Sequence, residues 1–289
     1  MSTVSPIYEK IKAFDDVDIL TACFKPDTLP VGVVQIVHGF GEGIIHYVDL
    51  AGFFTGLGYV CIVHDQRGHG EMCGLSQKQK LAARGISPGY EFFLHDIKTV
   101  RTMINHKFPN LPVLLYGHSM GGNIAINYLV KRSQNEFAKL ILEAPWLRLY
   151  KPVPRTMQAL AKLLGKISFN LAIISKLNKE HICRNAEKIK SLESDGSYHN
   201  RISFRLVSEI SEAGEFAIKN ASIISIPTLL LCPVMDKIVC PNSIREFARS
   251  ANSNIKTIEY PDGYHALRND SISEVVLRDI RDFVEQYIP

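Results

Sequence analysis

Short runs of strand-forming residues that stay apolar throughout, each followed by a longer stretch of helical periodicity, constrain this chain more than any other feature. The runs are Gly32–Val37 (GVVQIV), Tyr59–Val63 (YVCIV), Val113–Tyr116, Leu140–Leu142, Thr228–Leu231 and Ile255–Tyr260, preceded by an alternating run, Val17–Phe24. Strands that do not alternate need cover on both faces, which is the condition of a parallel sheet between helical layers. The helical patterns between them fall at His46–Leu57, Glu91–Lys107, Met120–Arg132, Asn242–Ser250 and Ser273–Tyr287, the last with a capping box of Ser271 and Glu274. Strand–helix alternation of this kind predicts a doubly wound α/β fold with crossovers of the usual hand. At 289 residues, with 46% hydrophobic and 21% charged, the chain can bury a large core and is neither disordered nor a coiled coil. Length alone allows one large domain or two small ones.

One stretch interrupts the alternation. From Trp146 to about Ser225 no good strand is legible, only helical patterns. Arg155–Leu177 is crowded with Met157, Leu160, Leu163, Leu164, Ile167, Phe169, Leu171, Ile173, Ile174 and Leu177, and Arg205–Asn220 is a second, more polar helical pattern. An all-helical insertion between strands of a parallel sheet sits above their carboxyl ends, where such folds bind ligands. It reads either as a packing subdomain or as a lid over a hydrophobic pocket. The expected division is a core of residues 1–145 and 226–289 with a lid of 146–225.

Composition excludes several function classes. Thirty-three basic against 29 acidic residues give a formal charge of +4, too mild and dispersed for a nucleic-acid surface. No signal-peptide core is legible in Met1–Phe14, and no apolar run reaches the roughly 18 residues a membrane span needs. The six cysteines lack C-x-x-C spacing, which argues against a zinc site or a disulfide framework and for reduced thiols in the cytoplasm.

Tyr116-Gly117-His118-Ser119-Met120-Gly121-Gly122 contains Gly-x-Ser-x-Gly directly after an apolar strand and directly before a helix. That is the setting of a nucleophile elbow, in which Ser119 occupies the tip of a strained turn too tight for a β-carbon at Gly117 or Gly121. A serine needs a base, and His265 lies in a turn after the last strand, within reach of Ser119 from above. The base needs a carboxylate. Asp236, just past Thr228–Leu231, is the candidate; Glu143, at the end of Leu140–Leu142, is its rival, while Asp262 in Pro-Asp-Gly reads as turn chemistry. The oxyanion requires backbone donors: the N–H of Met120 at the helix start, and that of Phe40 in the loop His38-Gly39-Phe40-Gly41-Glu42-Gly43. The chain order Ser119, Asp236, His265 is that of the α/β-hydrolase fold.

These pieces together resemble the monoacylglycerol lipase and lysophospholipase branch of the α/β-hydrolases, close to the serine aminopeptidase-like hydrolases. The matching segments are HGFGE (38–42), DQRGHG (65–70), GHSMGG (117–122), MDKIV (235–239) and GYHAL (263–267), in the family's order. The resemblance implies a lid between strands six and seven. It also implies Ser119, Asp236 and His265 as the triad, Phe40 and Met120 as oxyanion donors, and a structural loop around Asp65, Arg67 and His69. The chain departs from the pattern at Pro233, where many relatives have glycine, at Glu143, where many have a small residue, at Ala266, where glutamate is frequent, and at Glu71-Met72 after RGHG.

The expected activity is therefore serine ester hydrolysis through an acyl-enzyme, without metal or cofactor. The expected substrate is a monoacylglycerol, a lysophospholipid or a similar small acyl ester, and the lid would touch a membrane or micelle surface transiently. Two other readings stand beside it. One is an amide hydrolase of aminopeptidase type, for which Glu187, Glu193, Glu209, Glu212 and Glu215 could supply an amino-terminus site. The other is a hydrolase fold kept as a receptor or scaffold.

Overall fold

The computed structural model describes residues 5–72, 75–152, 154–168, 171–175, 177–194 and 196–286. The first half of the chain runs β1 (Ile7–Lys12), β2 (Asp18–Phe24), β3 (Gly32–Val37), α1 (Val48–Gly56), β4 (Tyr59–His64), α2 (Gln77–Ala83), α3 (Tyr90–Lys107), β5 (Val113–His118), α4 (Met120–Lys131) and β6 (Lys139–Glu143). There follow α5 (Arg155–Ile167), β7 (Ala172–Ile174), α6 (Ala186–Ser194), β8 (Arg201–Ser203) and α7 (Phe204–Lys219). The chain then returns through β9 (Thr228–Pro233), α8 (Pro241–Ser250), β10 (Ile255–Tyr260) and α9 (Ser273–Glu285).

Eight strands form one sheet in the order β1-β2-β4-β3-β5-β6-β9-β10, parallel except for the antiparallel pairs β1–β2 and β2–β4. Every residue of β3, β5, β6 and β9 is buried, as their unbroken apolar runs require. Alternate residues feed two cores. Val33, Leu115 and Leu140 pack with Phe93 and Ile97 of α3, Ile124 of α4 and Ile210 of α7. Val34, Tyr116 and Ile141 pack with Leu50 and Phe54 of α1 and Val276 and Ile280 of α9. Helices thus cover both faces, and the carboxyl ends of β3, β5, β6 and β9 open on one edge.

The structure departs from the sequence expectation in four places. The segment between β6 and β9 is not all helical: α5 stops at Ile167, and the β-branched pair Ile173–Ile174 enters a two-stranded antiparallel ribbon with β8. Branching at Cβ costs these residues side-chain freedom in a helix and suits a pleated pair. The apolar crowding up to Leu177 satisfies both periods and so does not distinguish helix from strand there. Strand β1, an exposed edge, has no apolar run to mark it in the sequence, and α2, with none of its residues buried, has no apolar face to mark it. Finally, the Ser271–Glu274 capping box does not cap α9: the N-cap is Ile272, without a side-chain hydrogen bond.

Candidate active site

The nucleophile elbow forms where β5 meets α4. Ser119 has φ 53° and ψ −117°, a left-handed strain for a residue with a side chain, held by neighbouring strands. Its N–H donates to the Glu143 carbonyl at 3.0 Å, and its own carbonyl accepts from Trp146 N–H at 2.8 Å. The glycines are there for contact: a Cβ on Gly121 would stand 2.0 Å from the Val37 carbonyl oxygen, and one on Gly117 2.7 Å from that of Gly121.

His265 reaches the elbow from the loop after β10. Ser119 Oγ lies 2.9 Å from His265 Nε2, and His265 Nδ1 lies 2.6 Å from Asp236 Oδ2. Because the carboxylate only accepts, Nδ1 carries the proton and Nε2 is left to accept from the serine. Asp236 is itself aimed: its Oδ1 accepts from the backbone N–H groups of Ile238 (2.7 Å) and Val239 (3.0 Å). Burial opposes an imidazolium at His265, but Asp236 foremost, with Glu143 and Glu42, outweighs it, so the pKa lies above that of an ordinary histidine.

Glu143 does not serve the histidine. Its carboxylate accepts from Tyr116 Oη, from Arg268 N–H at 3.0 Å and from Arg268 Nη1 at 2.8 Å. Burial would raise its pKa, but Arg268 first among its neighbours keeps it lowered and therefore ionised. Met120 opens α4 directly after Ser119, and Phe40 lines the same cavity as the serine, its ring edge-on to His69, Trp146 and His199. The loop carrying Phe40 is pinned at several points. Gly39 N–H donates to Glu42 Oε2 at 2.7 Å, and His38 bridges the Gly39 carbonyl (2.8 Å) and the Gln66 N–H (2.9 Å). Arg67, in the loop read as structural, pairs with Asp15 at 2.7 Å and Asp96 at 2.7 Å.

A cavity of about 770 Å³ opens onto Ser119 and His265. Its apolar wall comes largely from the segment between β6 and β9, including Trp146, Ile173, Ile174, Leu177, Phe204 and Val207. Of the crowded stretch 155–177, then, only part lines the cavity: Leu160 and Leu163 face outward, and Met157, Ile167 and Phe169 fall outside the described side chains. The ribbon supplies lining that no helical reading placed there. Sequence reasoning also missed Glu42, Tyr47 and Arg268; the available signal was Glu143, an acid at the end of a fully buried strand.

Residues 28–272 match the family described as Serine aminopeptidase, S33. The chain belongs to that family. The chain is 26% identical over 94% of its length and 94% of the other's to the monoacylglycerol lipase of Mycolicibacterium smegmatis. It is 27% identical to the phospholipase YtpA of Bacillus subtilis, covering 90% of this chain and 97% of that one. Among solved structures, the monoacylglycerol lipase of Paleococcus ferrophilus superposes with a TM-score of 0.82 at 28% identity, covering 92% of this chain and 98% of that one. Lipases of similar length and fold are thus among the proteins this chain resembles over nearly all of its length.

Proposed function

We propose that this protein hydrolyses small acyl glycerol esters through a Ser119 acyl-enzyme, with monoacylglycerols as the substrate class and lysophospholipids as the near neighbours. That the chain is a serine ester hydrolase rests on its family and its full-length lipase relatives. The single observation that carries the assignment of residues is the continuous relay Ser119 Oγ–His265 Nε2 (2.9 Å) and His265 Nδ1–Asp236 (2.6 Å).

His265 takes the Ser119 proton as Oγ attacks the ester carbonyl, and the Phe40 and Met120 N–H groups hold the developing oxyanion. Asp236 stabilises the imidazolium. His265 then protonates the leaving alcohol, and water, deprotonated by the same imidazole, releases the acid. Residues 146–225 act as a lid whose apolar wall receives the acyl chain. The exposed Leu160, Leu163 and Ile174 suit its transient contact with a micelle or membrane surface. No described helix is long and apolar enough to cross a membrane. The five described cysteines are free thiols, in keeping with a cytoplasmic site of action.

The amide-hydrolase reading has less support. Glu209, Glu212 and Glu215 are each engaged by a cation, Arg205, Lys162 and Arg148, at 2.8, 2.8 and 2.5 Å. Among described residues the cavity wall offers Lys151 and Lys237 but no carboxylate besides Glu42, which Arg268 already pairs. The test is a chain-length series of monoacylglycerols and p-nitrophenyl esters, run beside aminoacyl-anilides on wild type and Ser119→Ala. Ester cleavage lost by at least about 10⁴-fold in the variant is expected. Cleavage of the anilides alone, or full activity in Ser119→Ala, would overturn the proposal.

A further inference from the structure

Beneath the serine and histidine lies a fully buried charge cluster that the hydrolytic steps do not use. Arg268, whose side chain is 3% exposed, places Nη1 2.8 Å from Glu143 and Nη2 3.0 Å from Glu42. The guanidinium lies over the Tyr47 ring, 4.3 Å from its centroid. Glu42 also accepts from Tyr47 Oη at 2.7 Å and from Gly39 N–H at 2.7 Å, and Glu143 accepts from Tyr116 Oη and from Arg268 N–H. The contacts join segments far apart in the chain: the loop after β3, the end of β6, and the turn that begins two residues after His265.

We propose that Arg268 is a positioning residue, clamped between Glu42 and Glu143 so that the oxyanion loop and the His265 loop keep a fixed spacing about Ser119. The proposal rests on the serine-hydrolase reading above. A buried ion cluster is weak evidence for stability, because apolar residues of similar volume usually serve as well. Here each of the two carboxylates also fixes a backbone amide. Glu42 holds the Gly39 amide, one residue before the proposed donor Phe40, and Glu143 holds the Arg268 amide in the turn behind His265. Either loop moving by an ångström would misalign attack on the ester.

The cluster also sets a charge. Two carboxylates and one guanidinium leave one net negative charge near the imidazole. His265 meets Ser119 and His118 from the elbow and Asp236 from the loop after β9, and it feels the charges of Glu143 at the end of β6 and Glu42 in the loop after β3, both of which Arg268 of its own turn pairs. Removing the cation therefore favours the imidazolium, and removing one carboxylate disfavours it.

Arg268→Met, Arg268→Lys and Glu143→Gln test this with p-nitrophenyl ester kinetics across pH, after titrating active sites with a fluorophosphonate. Arg268→Met is expected to lower kcat by about 100-fold with KM little changed. Its acid limb of kcat/KM should move up by about one pH unit, and that of Glu143→Gln down, while Arg268→Lys recovers the wild-type limb and most of the rate. Folded variants whose limbs do not move, even with kcat reduced, would make Arg268 merely structural and overturn the proposal. If Arg268→Met does not fold, an unmoved limb in Glu143→Gln overturns it. Full activity in Ser119→Ala would instead sink the serine-hydrolase reading, so the two failures are distinguishable.

Discussion

Two carboxylates at the carboxyl ends of adjacent strands compete, on paper, to orient His265, and geometry separates them. Asp236 has one oxygen on two backbone amides and the other on the imidazole, whereas Glu143 is committed to Tyr116 and Arg268. Asp236→Asn keeps the shape but removes the charge, and an amide that donates toward Nδ1 favours the wrong tautomer. Its kcat should fall by about 10⁴-fold. Because Asp236 is what lifts His265 against burial, the acid limb of the residual activity should move to lower pH. A pH–rate profile of the variant beside wild type checks both, and an unshifted limb would remove Asp236 from the relay. The triad candidates were legible because each follows a strand at a fixed offset. Arg268 was not, because nothing in a lone arginine after a histidine announces a carboxylate 226 positions away.

At the scale of elements, the elbow depends on how closely α4 approaches β3. Gly121→Ala would drive a Cβ to 2.0 Å from the Val37 carbonyl oxygen and 2.5 Å from that of His38, so either the helix or the oxyanion loop must shift. A loss of about 3 kcal/mol or more is expected in urea unfolding, with activity falling in the protein that remains folded. Helix α5 poses the opposite case. Its Ala161 is buried and a Cβ on Gly165 would meet Arg205 Cα at 2.8 Å, so one face packs on α7 while Leu160 and Leu163 stay outside at 52% and 56% exposure. If that outer face meets the lipid surface, Leu160→Asp with Leu163→Asp should weaken hydrolysis of vesicle-borne monoacylglycerol by at least about tenfold, since each leucine gains roughly 2 kcal/mol on leaving water. A soluble short-chain ester should be cleaved at the wild-type rate; equal loss on both substrates would tell against the surface role.

Across the whole molecule, buried neutral imidazoles make stability depend on pH. Burial pushes His64 and His69 down to about 4, and burial with His69 pushes His199 down to about 3. In the unfolded chain they would titrate near about 6.5. The folded state therefore binds fewer protons between these values, so their contribution is complete above about pH 6.5 and is lost as pH falls toward 4. Asp65, raised to about 6 by burial, runs the other way, as does His265 with its raised pKa. Three imidazoles, each worth on the order of a few kcal/mol, outweigh these. Thermal melts should show Tm falling steadily from about pH 6.5 to 4.5, and a flat Tm across that range would contradict the burial.

What the amino-acid sequence determined by itself was whatever depends on neighbours along the chain. Unbroken apolar runs imply strands covered on both faces, Gly-x-Ser-x-Gly between strand and helix implies an elbow, and the order of Ser119, Asp236 and His265 implies one sheet edge. Tertiary structure alone decided which acid meets the histidine, which face of the segment between β6 and β9 lines the cavity, and that Glu42, Glu143 and Arg268 share one buried cluster. The physical reason is the range of the forces. Periodicity and turn sterics act over a few residues, whereas a charge or an apolar wall finds its partner only after the sheet has brought distant segments within a few ångströms.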